Sequence, residues 1–220
     1  FSYTEYTPSN KVYRQIIKPY LHSRGIHKID AIFLSHEDSD HVGSVPFILE
    51  DMEVDIVVIS HLYQLDDESK RMFQEHGINL IRTSYGENFN VLRQVKDKND
   101  SNENSLVLFT TTGERRWLFT GDIGSSAEKQ LVNRFPNLKV DVLKVAHHGS
   151  LTSSSKDFIQ HVRPEYGLIS VGENNMYGHP AKEVIQVLED ENVVVLRTDQ
   201  NGAVQYRFKN NNGTFLTYRP

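Results

Sequence analysis

Apolar positions along the chain alternate between two periods. Val12, Ile16, Ile17, Tyr20 and Leu21 recur at helical spacing, Gly25 closes that segment, and Pro19 within it predicts a kink. Ile29–Leu34 (IDAIFL) and Val54–Ile59 (VDIVVI) are near-continuous apolar runs of strand length, with a short helix predicted between them over Val42–Glu50. Asp66–His76 predicts a helix with acidic residues in its first turn and Gly77 behind it. Ile78–Arg82 and Phe89–Val95 are weaker strand patterns. Ser105–Thr111 and Arg115–Thr120 predict a hairpin turned through Thr-Gly-Glu. Helices are predicted over Ser126–Phe135, Lys156–Val162 and Ala181–Asp190, and strands over Val140–Ala146, Tyr166–Val171, Val193–Arg197, Ala203–Phe208 and Gly213–Tyr218.

Strands interleaved with helices, plus hairpins, predict an α/β protein with mixed sheets. The buried runs need cover on both faces, which two packed sheets with helices outside would provide. The polar run Lys96–Asn104 (KDKNDSNEN) predicts a mobile loop, and Thr152–Ser155 is a second small-residue patch. Neither is long enough for an interdomain linker, so a single domain over 1–220 is expected.

Composition narrows the chemistry. There are no cysteines, which excludes disulfides, thiol catalysis and zinc fingers. The absence suits an oxidising compartment. The net charge of −5 supplies no bulk basic field for nucleic acid, so an anionic substrate needs a local patch or metal ions. No apolar run approaches the ~18 residues of a membrane span. Ten histidines are the anomaly, and several of them gather in motifs.

Those motifs stand at predicted strand ends. His36, Asp38, Asp40 and His41 (HEDSDH) follow the first apolar strand, and Asp122 (GD) follows Arg115–Thr120. His147 and His148 (HHGS) follow Val140–Ala146, and His179 (YGHP) lies one short loop beyond Tyr166–Val171. One such residue alone is an ordinary loop cap. Four clusters in this order are suited to converge from a rigid scaffold and supply N and O ligands to more than one cation. Ser153–Ser155 read as helix caps rather than nucleophiles, and Trp117 with Phe119 as strand core rather than a base-stacking platform.

HEDSDH, the later GD, LKVAHHGS and NNMYGHP together resemble the metallo-β-lactamase superfamily, and within it the C-terminal domain of the ComEC family of DNA-internalisation competence proteins. The stretch IIKPYLHSRGIHKIDAIFLSHEDSDHVGS carries the same resemblance, which runs from about Ile16 to about Lys182. It implies a four-layer αββα sandwich holding two divalent cations, with His36 and Asp38 on the first metal and Asp40 and His41 on the second. Asp122 would bridge, and His179 would complete the second metal's shell. His147 and His148 are candidates for a ligand, a proton donor to the leaving oxygen or a phosphate contact, and Asp40 is implicated in catalysis. Lys144, Ser150 and Asn175 are the candidate substrate contacts.

Three departures from the superfamily pattern stand out. Asp38 replaces its second histidine, which makes the donor set harder and shifts the expected metal from zinc toward manganese. No histidine lies between His76 and His147, and Asn104 and Ser105 occupy the place where another ligand is common. The family's opening Asp-Val-Gly-Gln-Gly-Asp strand and later Asp-Thr-Gly turn are also missing, so the chain is expected to lack the first N-terminal strands and to leave a sheet edge open.

The resemblance implies a metal-dependent deoxyribonuclease of natural competence, using a metal-bridging hydroxide on single- or double-stranded DNA. It implies a membrane-embedded channel domain elsewhere in the same protein and an extracytoplasmic position. The domain itself is expected to be soluble and, in isolation, monomeric. The alternatives are hydrolysis of another ester (a phosphocholine ester, lactone or thioester) and a non-catalytic gating module of a membrane DNA channel.

Overall fold

The computed structural model describes residues 10–83, the backbone of 91–93, and residues 100–210 and 212–219. They fall into two compact units, Phe1–Ser84 and Tyr85–Pro220.

The first unit opens with a π-helical turn at Tyr13–Ile17 that runs into α1 (Lys18–Ser23). Pro19 is the second residue of α1, so its missing N–H falls where the π-helical turn passes into the α-helix. The Lys18 N–H reaches back to the Tyr13 carbonyl. The disturbance expected from Pro19 is therefore absorbed as a wider turn just upstream of it. β1 (Lys28–Leu34) follows, then α2 (Ser39–Val42), α3 (Val45–Asp51), β2 (Glu53–Ser60), α4 (Asp67–Glu75) and β3 (Asn79–Thr83).

The short helix predicted over Val42–Glu50 is α3, which starts after Gly43-Ser44 with Pro46 in its first turn; α2 is an additional turn just before it. Asp66 caps α4 by accepting the Ser69 N–H. The sheet is all parallel in the order β1-β2-β3. Val45, Ile48 and Leu49 on one face of α3 join Tyr13, Leu34, Val57, Ile59 and Phe73 in its core.

The second unit contains β4 (Val91–Arg93), a 3-10 turn at Asn102–Asn104, β5 (Val107–Thr112) and β6 (Arg115–Phe119), then α5 (Ser125–Arg134) and β7 (Val142–Lys144). It continues through α6 (Lys156–Val162), β8 (Tyr166–Ile169), α7 (Lys182–Asp190), β9 (Val194–Arg197), α8 (Thr198–Asn201), β10 (Ala203–Lys209) and β11 (Asn212–Tyr218). Apart from β4 and the Asn102–Asn104 turn, the Phe89–Val95 strand and the Lys96–Asn104 loop expected from sequence fall largely outside the described residues.

Six strands form one sheet in the order β4-β5-β6-β7-β8-β9. The β4/β5 and β5/β6 pairs are antiparallel, and the pairs from β6 to β9 are parallel. Gly113 and Glu114 both have positive φ, which is the two-residue turn that matches strand twist in a hairpin. The β10–β11 hairpin forms its own two-stranded sheet. Trp117 is buried between Tyr206 and Phe215, as expected of a core residue, whereas Phe119, expected beside it in the core, is 39% exposed. Leu118, Leu131, Leu143, Phe158, Ile159 and Leu188 lie among the fully buried residues of this unit's core, so helices and parallel strands share one apolar interior.

Candidate functional site

The donors in the first unit follow the C-terminal end of β1, where the chain leaves the sheet and turns into α2. His36 Nε2 lies 3.7 Å from Asp38 Oδ2, and His41 Nε2 lies 3.7 Å from Asp40 Oδ2. The two imidazoles are neighbours, with ring centroids 4.2 Å apart. The Ser35 hydroxyl stands 3.1 Å from Nδ1 of both rings.

One oxygen with two lone pairs can accept an N–H from each ring. With both Nδ1 atoms donating, each ring would turn its Nε2 lone pair toward its carboxylate. Glu37, between the donors in sequence, has its carboxyl pushed up chiefly by burial. Burial also raises the Tyr63 phenol, with Glu37, Asp66 and Asp38 adding to the effect.

In the second unit the donors come from three loops. Asp122 follows β6 and is only 4% exposed. Its backbone N–H donates to the Ser105 hydroxyl at 3.1 Å. Ser105 thus occupies the expected place of an additional histidine and holds the bridging candidate by its backbone. His148 Nδ1 donates to the Ser170 carbonyl at 2.6 Å, which leaves Nε2 as the lone-pair atom, 3.6 Å from Asp122 Oδ2. His147 Nε2 lies farther from the same oxygen, at 4.0 Å, and its Nδ1 stands 3.4 Å from the Thr152 hydroxyl. The ring of His179 packs 5.7 Å from that of His147. Burial lowers the His179 pKa, and His147 and His148 lower it further, against a smaller opposing effect of Asp122.

The HHGS turn is a costly conformation. His147 (φ 48, ψ 45) and His148 (φ 53, ψ 20) are both left-handed, which costs roughly 1–2 kcal/mol per residue for a side chain with a Cβ. Gly149 continues the turn at φ +82, and a Cβ there would come within 2.5 Å of Pro180 Cβ. The Gly149 carbonyl accepts the Ala181 N–H at 2.9 Å, tying the HHGS turn to the loop that carries His179. The strand expected over Val140–Ala146 is regular only at Val142–Lys144, because the chain must leave the sheet to enter this turn.

Of the candidate substrate contacts, Ser150 Oγ bonds Thr152 Oγ1 within the turn. Asn175 braces its own loop, donating to the Gly172 and His179 carbonyls and accepting the His179 N–H. Lys144 Nζ donates to the Val145 carbonyl at 2.9 Å.

Sequence reasoning missed Ser35, the Ser170 carbonyl and Glu128. Ser35 immediately precedes His36, which was its available signal. Glu128 falls at helical spacing with buried Leu131 in α5, and an acid on an apolar face was the signal there. Ser155 Oγ does cap α6 by accepting the Phe158 N–H, as the sequence predicts.

These donors fit divalent cations. Ligand atoms about 2.1 Å from one ion stand about 3.0–3.5 Å apart, close to the three shortest pairs. The same pairs are too long for hydrogen bonds, which run about 2.7–3.2 Å.

A model of the metallo-β-lactamase superfamily matches residues 7–173. The chain belongs to that superfamily; its α/β fold is the one the motifs implied, a scaffold of metal-dependent hydrolases that implies divalent metal binding. Its relatives include ComE operon protein 3 of Bacillus subtilis (strain 168), 39% identical over 94% of this chain and 28% of that protein. Competence protein ComA of Neisseria gonorrhoeae is 35% identical over 86% of this chain and 27% of its own length. Recombination protein 2 of Haemophilus influenzae is 31% identical over 87% and 24%. The chain therefore resembles competence proteins, as its motifs indicated, and spans about a quarter of the length of these relatives. Among the described residues no helix is long and apolar enough to cross a membrane.

Proposed function

We propose that residues 1–220 act as one domain in which the two donor clusters close on a pair of divalent cations, and that this centre hydrolyses a DNA phosphodiester. The observation that carries the proposal is the repeated setting of an imidazole Nε2 at 3.6–3.7 Å from a carboxylate oxygen, with Nδ1 turned onto the oxygen of the Ser35 hydroxyl or of the Ser170 carbonyl. His36 and Asp38 would hold one cation, and Asp40 and His41 the other. Asp122 would lie between them, with His148 and His179 completing the set. When bound, such a pair makes a shared water more acidic and neutralises charge on the phosphoryl oxygens. The carboxylate-rich donors favour manganese over zinc.

His147 lies farther from Asp122 than His148 does and serves as the proton donor to the departing alkoxide oxygen. Tyr177 is 78% exposed and stacks at 19° on the ring of His179, offering a face on which a base can lie. Lys144 and Ser150 are the assigned phosphate contacts. The relatives named for competence and recombination support DNA as the substrate. By the same resemblance, a membrane-embedded channel domain would lie elsewhere in the same protein, with this domain soluble, monomeric when isolated and on the extracytoplasmic side.

The test is metal content and nuclease activity measured on one sample, titrated with Mn²⁺ and then EDTA. The expected result is cleavage that follows Mn²⁺ occupancy and falls more than about 100-fold in Asp40→Ala, since removing even a partner of a ligand costs 10–100-fold. Parental cleavage by Asp40→Ala, or cleavage unaffected by EDTA, overturns the mechanism. Hydrolysis of a phosphocholine ester, lactone or thioester with DNA left intact overturns the substrate assignment. Less than one ion per chain with no hydrolysis overturns the enzyme reading in favour of a gating module.

A further inference from the structure

The loop that carries His147 and His148 is closed on itself before it meets the rest of the unit. The Ser153 hydroxyl shares its one proton between the Ala146 carbonyl at 3.0 Å and the Ser150 carbonyl at 3.1 Å, joining the loop's start to its end. The Ser150 N–H returns to the His147 carbonyl at 2.8 Å. The end of this ring is strained, because Ser154 has φ 57 in addition to the left-handed histidines.

What grips it is a carboxylate. Glu128, in the first turn of α5, has no exposed surface. One of its oxygens accepts the Ser154 N–H and the other accepts the Ser155 N–H at 2.9 Å. Ser155 is also the N-cap of α6; burial pushes the Glu128 carboxyl up, and the bonds from Ser155 and Ser154 pull it back down. The Ser125 N–H to the Thr152 carbonyl, 2.8 Å, clamps the start of α5 to the same loop.

We propose that Glu128 is a positioning residue for the histidine pair. Its buried carboxylate holds the two backbone N–H groups that end the loop, and through them keeps His147 and His148 left-handed, with His148 Nδ1 on the Ser170 carbonyl and Nε2 toward Asp122. The effect on metal rests on the cation centre proposed above; the effect on the His148 tautomer does not.

The experiment compares the full chain with Glu128→Gln, which keeps the volume but presents an NH₂ to one of the two N–H donors. Glu128→Asp, too short to reach both, is the second variant should Glu128→Gln fail to fold. Val162→Ala, which trims a fully buried residue of α6, is the control for simple loss of stability. Mn²⁺ affinity is measured by calorimetry, and the His148 tautomer in metal-free protein by ¹⁵N-resolved NMR of the imidazole.

The expected result is about 10- to 100-fold weaker Mn²⁺ binding in the Glu128 variant, with His148 moving from one Nδ1–H tautomer to a mixture. Val162→Ala should lose stability and keep both readings. Unchanged affinity and tautomer in a folded Glu128 variant overturn the proposal, as does a loss that Val162→Ala reproduces in proportion to its destabilisation. If the parent binds no Mn²⁺, the cation centre falls and the tautomer alone decides the role of Glu128.

Discussion

His36 and His41 lie within six residues of one loop and lean on the same Ser35 hydroxyl. Asp122, His148 and His179 come from three loops of the other unit, and their supports are a backbone carbonyl, a buried serine and a strained turn. The first cluster needs little loop closure, since the chain that leaves β1 delivers every donor. The second depends on a sheet to bring loop ends together and on hydrogen bonds to hold an unfavourable backbone. A substitution in the first cluster should therefore change metal binding with little effect on folding. In the second, the supports belong to the fold, and binding and stability should fall together.

The sharpest way to break this contrast is Gly149→Ala. An added Cβ meets Pro180 at 2.5 Å, and the backbone sits at φ +82. Overpacking and left-handed strain together are expected to cost about 2–4 kcal/mol, read as a lowered thermal midpoint together with weaker Mn²⁺ binding. A midpoint unchanged within a degree would show that the second cluster is no more dependent on its fold than the first.

Ser35→Ala is the matching probe of the first cluster and should act more gently. Removing the shared acceptor frees both rings to change tautomer and rotate, so Mn²⁺ affinity should fall about 10- to 100-fold while the unfolding midpoint stays near that of the parent. Calorimetry alongside thermal denaturation separates the two readouts. A large loss of stability without a loss of affinity would reverse the assignment.

The same contrast explains what could be read without coordinates. HEDSDH was legible because four donor side chains follow one apolar strand in a single short run. Asp122, His147, His148 and His179 were legible as residues at strand ends, but not the means that hold them. The partner of Glu128 lies 26 residues away on another element, and the Ser170 carbonyl has no sequence signature at all. Element boundaries failed where the chain turns for a local steric reason. Pro19 widened a helix at the preceding turn instead of kinking it, the helix over Val42–Glu50 begins only at Val45, after Gly43-Ser44, and β7 shortened to three residues to enter the left-handed turn.

The smallest expected effect concerns protons and applies to the second cluster. His179 is held below the usual histidine range by burial first, then by His147 and His148. Because the folded pKa lies below the unfolded value of about 6.5, the unfolded chain takes up this proton first as pH falls. Stability from His179 is therefore complete above about 6.5 and is lost as pH drops through that value toward the lower folded pKa. Urea midpoints of metal-free protein should decline between pH 7.5 and 5.5, and His179→Gln should flatten part of that slope. An identical slope in the variant would mean that His179 is not held below its unfolded value in solution, and that the second cluster carries no proton-linked cost which the first cluster lacks.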